Sequence, residues 1–228
     1  MKHYRKNALL AGALFLITMG LGMIDAYFVF PRISGSLGDI PAIGNLIHLG
    51  AFAVLGMAVG IVGIALALFP VVKVHSESIA LTYLSFRVIE CVLLLVGPLV
   101  YLLLVHIAKQ DAELGFVGAD VSSVLPAVAV RTKLICYQFA MAILGTGSMF
   151  LCYSFYKSLA IPRFLSLWGF VGYALLTVSA VLDLVGFIDT TGLGILFYIP
   201  GGLWEIVGFP LWLFMRGFQI SAASTTSH

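Results

Sequence analysis

The chain has 228 residues, of which 61% are hydrophobic and 10% are charged, and its mean hydropathy is +1.12. Soluble domains carry roughly 25% charged residues, so this composition excludes an ordinary soluble fold and indicates an apolar surface that meets lipid. The formal net charge of +2 is too small to indicate a nucleic-acid-binding protein.

Six apolar segments are long enough to cross a bilayer, which takes about 20 helical residues. The first follows a short basic stretch, but its apolar run continues without a small-residue cleavage site. We therefore expect a retained span rather than a cleaved signal peptide. The sequence predicts an all-α bundle of six transmembrane helices, forming one membrane domain over residues 1–220 with a disordered tail over 221–228. The predicted spans are about 8–30, 45–69, 79–107, 133–156, 164–188 and 195–218.

The connections between the spans are short, except for a predicted polar connection from Lys109 to Pro126 between the third and fourth spans. Lysine and arginine are more numerous at the span ends that share a side with both termini. Because positive residues accumulate in cytoplasmic connections, this bias predicts that both termini are cytoplasmic.

The third and sixth spans have a similar pattern of residues. Glu90 is followed by Gly97-Pro98, and the segment Pro200–Glu205 is followed by Pro210. Two three-span halves would have opposite topology, as in transporters built from inverted repeats. A coincidence is the alternative, because proline and glycine are common in membrane helices.

The stretch Ser85–Pro98 places two charges inside the third span. Arg87 and Glu90 are three residues apart and so share one helical face. A charge in a span costs at least a few kcal/mol, so such residues normally face the protein interior and have a partner. The two residues form either a structural ion pair or part of a ligand site.

Glu205 in the sixth span adds a second carboxylate at a similar depth, about 15 Å from the outer start of its span. One arginine then faces two glutamates, so either a second cation is present or one carboxyl group is protonated. His48 is a candidate for that second charge. Trp204 is either a ring that stacks on a ligand or a packing residue. The segment Pro200–Gly202 is the expected site of a break or kink.

Four further polar residues map to the outer third of their spans and could form a polar mouth above this cluster. Alternatively, His48 is a packing histidine held by a hydrogen bond, although Asn45 lies on the same helical face. Alternatively, Asp25 and Asp183 are residues at helix ends that lie at the membrane interface. The four residues are Asp25, Asn45, His48 and Asp183.

The remaining chemistry is sparse. The three cysteines, Cys91, Cys136 and Cys152, have no CxxC spacing and are interpreted as small buried residues. No zinc-protease, serine-hydrolase or nucleotide-binding motif is present, and the histidines do not converge. We therefore expect no metal and no cofactor.

Four stretches of the chain are characteristic: Ala8–Thr18, Ser85–Pro98, Ile161–Gly169 and Leu203–Glu205. Together they resemble the DUF4386 family, a group of bacterial multi-pass membrane proteins of unknown function. The resemblance extends over essentially the whole chain, and His48 lies where the family tends to have a histidine. It implies a bacterial cytoplasmic membrane but supplies no activity.

Three functions fit these observations. The first is binding or transport of a small molecule, ion or proton at a site of Arg87, Glu90 and Glu205. The second is an intramembrane enzyme that acts on a lipid-like substrate, with Glu90 or Glu205 as general base and His48 assisting. The lack of a nucleophile or metal cluster argues against an enzyme, but the sequence leaves this question open. The third is a structural or partner-binding subunit. The expected partners are the lipid bilayer and a small ligand, ion or lipid, without nucleic acid. A homo-oligomer is compatible with the sequence.

Overall fold

A computed structural model describes residues 2–33, 37–115 and 117–219 of the chain. The predicted all-α fold is confirmed, because the described residues form helices and turns without strands. Six of the helical segments are long and apolar enough to cross a membrane. The tail predicted to be disordered, 221–228, lies outside the described residues.

Five long helices and one composite span form the bundle. The long helices are α1 (Lys2–Ile24), α2 (Gly44–Lys73), α3 (Glu77–Leu114), α4 (Ala119–Ser158) and α5 (Arg163–Leu184). The sixth span consists of a 3₁₀ turn (Leu193–Tyr198), α6 (Ile199–Leu203), a π-helical turn (Trp204–Gly208) and α7 (Phe209–Met215). α1 is followed by a π-helical turn (Asp25–Val29) and a 3₁₀ turn (Phe30–Arg32), and another 3₁₀ turn (Leu37–Ile43) precedes α2.

The predicted long connection between the third and fourth spans is wrong. α3 continues to Leu114 and α4 begins at Ala119, so only residues 115–118 join them. Gly115 ends α3 in a left-handed conformation at φ 60°, and its N–H donates to the Asp111 carbonyl at 2.7 Å. The polar residues of this region lie on helices, which accommodate an exposed charged face as readily as loops do.

The helices α3 and α4 are longer than a bilayer requires. They contain 38 and 40 residues, which corresponds to about 57–60 Å at 1.5 Å per residue, against a hydrocarbon core of about 30 Å. The two helices therefore tilt strongly or extend beyond the hydrocarbon region.

Helices that are adjacent in sequence pack against one another, and the sixth span closes the bundle by packing on α5 and α1. Arg5 of α1 donates to the carbonyl oxygens of Leu213 and Phe214 at 3.2 and 2.6 Å. This contact places both ends of the described chain at one end of the bundle. Below, the opposite end is called the outer end.

The outward faces of the helices are apolar in their middle portions, as expected where protein meets lipid. Phe52 of α2, Val92 of α3 and Val178 of α5 are each more than half exposed. Inside, an aromatic cluster fills the space between α1, α4 and the sixth span, and Trp204 and Phe209 stack in it with ring centroids 4.4 Å apart.

The sixth span changes its helix type around the predicted breakpoint at Pro200–Gly202. The chain passes from 3₁₀ to α at Ile199 and from α to π at Trp204. α3, in contrast, is continuous through Gly97 and Pro98. The two spans do not share the irregularity, and the inverted repeat stays a prediction.

Candidate functional site

Arg87 and Glu90 form an ion pair in the first half of α3. Nη1 of Arg87 donates to Oε2 of Glu90 at 2.8 Å, and the residues are 3% and 2% exposed. The ring of Tyr83, one turn earlier, lies 5.6 Å from the guanidinium carbon. Nε of Arg87 has no hydrogen-bond partner among the described residues. The pair is withdrawn from lipid and leaves one strong donor unused.

Glu205 is the surplus carboxylate of the site. It is half-buried, and its Oε1 accepts a hydrogen bond from the hydroxyl of Tyr173 at 2.7 Å. It is close enough to Arg87 and Glu90 to interact with both electrostatically. No ion pair within 4.0 Å joins it to a described basic side chain. The structure therefore brings together three of the predicted site residues.

Glu205 lies in the π-helical turn of the sixth span. A π turn widens the helix by one residue and leaves part of the regular hydrogen-bond ladder unmade, and such turns are frequent at functional sites. Gly172 of α5 allows this span to approach closely, since a Cβ atom there would lie 2.8 Å from the Cα atom of Gly201. Close backbone packing thus fixes Tyr173, on α5, beside Glu205.

α4 closes the remaining side of the site. Tyr137 interacts electrostatically with both glutamates, and Cys152 interacts with Glu205. A Cβ atom on Gly147 would lie 2.6 Å from the Cβ atom of Phe86, so α4 crosses α3 directly beside Arg87. Sequence reasoning missed both tyrosines, Tyr137 and Tyr173. Their contacts join separate helices, and no spacing within one helix could reveal them.

Trp204 is occupied by packing contacts. It is fully buried, its Nε1 donates to the Leu165 carbonyl at 2.8 Å, and its ring stacks on Phe209. Gly169 provides the space, because a Cβ atom there would lie 2.7 Å from the indole. This geometry matches the packing alternative for Trp204.

Asp25 lies apart from the three central residues and pairs with Lys133 of α4. It opens the π-helical turn after α1 and is 8% exposed. Sequence reasoning took Lys133 as the outer start of the fourth span and did not recognise it as a buried charge. The partners are 108 residues apart, so no local pattern could join them.

Asp183 belongs to a network that holds the turn between α5 and the sixth span. Its Oδ2 accepts from the N–H of Thr190 at 2.7 Å and from the Thr190 hydroxyl at 2.5 Å. Gln138 of α4 donates to Asp183 at 3.4 Å and accepts from the hydroxyl of Tyr198 at 2.5 Å. The carboxylate therefore has several local partners.

Asn45 and His48 are exposed on α2, and Nδ1 of His48 lies 2.6 Å from the Gly44 carbonyl oxygen of its own helix. Gly44 packs near Val105 of α3. Measured along α3, His48 is therefore about 15–20 Å from the level of Glu90 at 1.5 Å per residue. The structure does not bring Asn45 and His48 to the central residues, and the four outer polar residues occupy separate environments.

Among the described residues, no group of three or more His, Cys, Asp or Glu side chains is placed to hold a metal ion. The three cysteines are free. Cys91 and Cys152 are buried as expected, whereas Cys136 is half-buried.

The fold and the central residues define a multi-pass α-helical membrane protein with a buried cluster of charges. A sequence model of the DUF4386 family, described as a domain of unknown function, matches residues 10–217. The chain therefore belongs to the DUF4386 family, as its sequence resemblance predicted. No curated protein and no solved structure matches it.

Proposed function

We propose that this protein resides in the bacterial cytoplasmic membrane, with both termini in the cytoplasm, and that it binds and transports protons. The transport site consists of Arg87, Glu90 and Glu205, together with Tyr173. Arg87 orders Glu90, Glu205 exchanges the proton, and Tyr173 holds the carboxyl group of Glu205 in place.

The surplus of carboxylate over basic groups carries this proposal. Arg87 is committed to Glu90 at 2.8 Å, while the contact of Glu205 is a neutral tyrosine hydroxyl. An unpaired carboxylate inside a bilayer is costly. A proton bound to Glu205 removes that cost, and a carboxyl group that needs a proton to be neutral is suited to accept and release one.

The packing around the site favours a proton over a larger ligand. Tyr83, Arg87, Glu90 and Tyr173 are each at most 3% exposed. A proton needs no cavity and moves along hydroxyl and carboxyl groups, which can both donate and accept hydrogen bonds. Glu205 is half-buried, so its carboxyl group is the part of the site that the protein does not fully enclose.

Proton flux into liposomes tests the proposal. The purified protein is reconstituted into vesicles that contain a pH-sensitive dye, and a potassium gradient with valinomycin drives protons inward. We expect Glu205→Gln to lower the initial flux by about tenfold or more, since its amide cannot exchange a proton. Glu113→Gln is the matched control, because Glu113 is exposed near the end of α3 and should keep the wild-type flux.

Two results would overturn the proposal. One is a wild-type flux no greater than that of empty vesicles. The other is an undiminished flux in Glu205→Gln, which would favour a structural role for the central charges.

A further inference from the structure

A second buried group of polar residues lies between α1, α3 and α4. Asp25 is 8% exposed and Lys133 has a side-chain exposure of 15%. The Lys133 ammonium lies 5.0 Å from the ring centroid of Phe30 and 5.1 Å from that of Tyr101. Each aromatic face attracts a cation. In one and the same position, Lys133 thus pairs with Asp25 and lies against both aromatic rings.

Tyr101 supplies an independent indication that this group handles a ligand. It is 1% exposed, and its hydroxyl has no hydrogen-bond partner among the described residues. It also interacts electrostatically with Asp25. Buried hydroxyl groups normally have a partner, so an unpartnered one marks a position where a further donor or acceptor fits.

Gly97 of α3 allows Lys133 to reach across the bundle. A Cβ atom at Gly97 would lie 2.8 Å from Cγ of Lys133, so the lysine side chain passes over the helix backbone there. Gly97 is seven residues from Glu90, which corresponds to about 10 Å along the helix. The group therefore lies about two turns nearer the outer end than the central charges.

One face of α3 extends from the outer group to the central charges. Glu90, Leu94, Gly97 and Tyr101 recur at spacings of four, three and four residues and share one face of α3. On α4, Tyr137 follows Lys133 by one turn and interacts electrostatically with Glu90 and Glu205. Tyr137 thus lies between the outer group and the central carboxylates.

We propose that Asp25, Lys133 and Tyr101 form an outer proton-binding station that passes protons towards Glu205; this inference rests on the proposed function. An entering proton forms an O–H bond on the Asp25 carboxylate and neutralises it. Lys133 remains charged, and the rings of Phe30 and Tyr101, which it already contacts, continue to stabilise its ammonium group. When the proton leaves Asp25 for the central carboxylates, Lys133 pairs with Asp25 again, so that charge and protons balance over the cycle.

The groups around Asp25 are few. Lys133 faces it from α4 and Tyr101 from α3. On α2, His48 is exposed and bonded to its own helix. In the neighbouring 3₁₀ turn, Arg32 donates to the Phe28 carbonyl oxygen at 2.5 Å. Lys133 is therefore the basic side chain that competes with a proton for Asp25.

The flux assay separates a station from a structural ion pair. Asp25→Asn alone leaves a buried lysine without its partner and could unfold the protein. The double variant Asp25→Asn/Lys133→Met removes both charges, which buried pairs often tolerate. We expect it to fold but to lose proton flux by about tenfold or more. The matched control is Asp120→Asn, at an exposed position on α4. Wild-type flux in the double variant would overturn the station.

Carbodiimide labelling gives a readout that does not depend on flux. Dicyclohexylcarbodiimide modifies protonated carboxyl groups in apolar surroundings, and mass spectrometry locates the adduct. For a station, labelling of Asp25 in the wild-type protein should rise about threefold or more when the buffer is acidified, because an entering proton competes with Lys133 for the carboxylate. Unchanged labelling on acidification would overturn the station even if protons are transported.

The two proposals can therefore fail separately. Acid-dependent labelling of Asp25 without flux in the wild-type vesicles supports the station as a proton-binding site and contradicts proton transport. Flux that needs Glu205 but survives in the double variant supports proton transport and contradicts the station.

Discussion

At the scale of single residues, Arg87 and Glu90 form a buried ion pair in which each charge compensates the other. Their contact is local, three residues apart on one helix, and both are almost completely buried. Removal of one partner leaves the other charge without compensation, whereas removal of both can be nearly neutral. The pair is therefore best tested by comparing single and double variants.

We predict that Glu90→Gln lowers the free energy of unfolding by about 3–5 kcal/mol, because Arg87 then remains buried without a carboxylate. The double variant Arg87→Met/Glu90→Leu should recover most of that loss. Chemical denaturation in detergent measures both, with Glu77→Gln as the exposed control on the same helix. Equal losses in the single and double variants would contradict this reading of the pair.

At the scale of helices, the contact of α5 with the sixth span positions Tyr173 against Glu205. Gly172 and Gly201 bring the two backbones together, and the tyrosine follows directly after Gly172. A side chain at Gly172 would push the helices apart. The same change at Gly202 meets nothing within 4 Å, which provides a matched control in the same region.

We expect Gly172→Ala to lower the free energy of unfolding by about 1–3 kcal/mol through overpacking. Gly202→Ala should be neutral or slightly stabilising, by up to about 1 kcal/mol, since alanine is the better helix former. Thermal unfolding in detergent distinguishes the two variants. Equal effects would show that the Gly172 contact does not limit the packing of α5 on the sixth span.

The helices also show what a sequence can and cannot predict. Arg87 and Glu90 were predictable because their spacing already places them on one face. The pairing of Asp25 with Lys133 was not, because it depends on how α1 and α4 lie on either side of α3. The exposure of His48 was missed for the same reason. The residue number gives the position of a side chain along its helix, but the packing of neighbouring helices decides whether that side chain faces the interior.

At the scale of the whole molecule, the six spans of the described residues and the contact of Arg5 with the end of α7 place both ends of the described chain on one side of the bundle. From the bias of basic residues, we expect that side to face the cytoplasm. A C-terminal green fluorescent protein fusion should therefore fluoresce in bacterial cells, and an alkaline phosphatase fusion at the same point should be inactive. The reverse pair of results would invert the orientation.

The whole molecule thus presents two carboxylates in π-helical turns, Asp25 nearer the outer end and Glu205 at the centre, within a lipid-facing bundle. Proton flux through reconstituted Glu205→Gln tests this account most directly. We predict that the variant folds like the wild type and has a proton flux at least about tenfold lower, while the flux of Glu113→Gln equals that of the wild type. Equal flux in wild type and Glu205→Gln would contradict it.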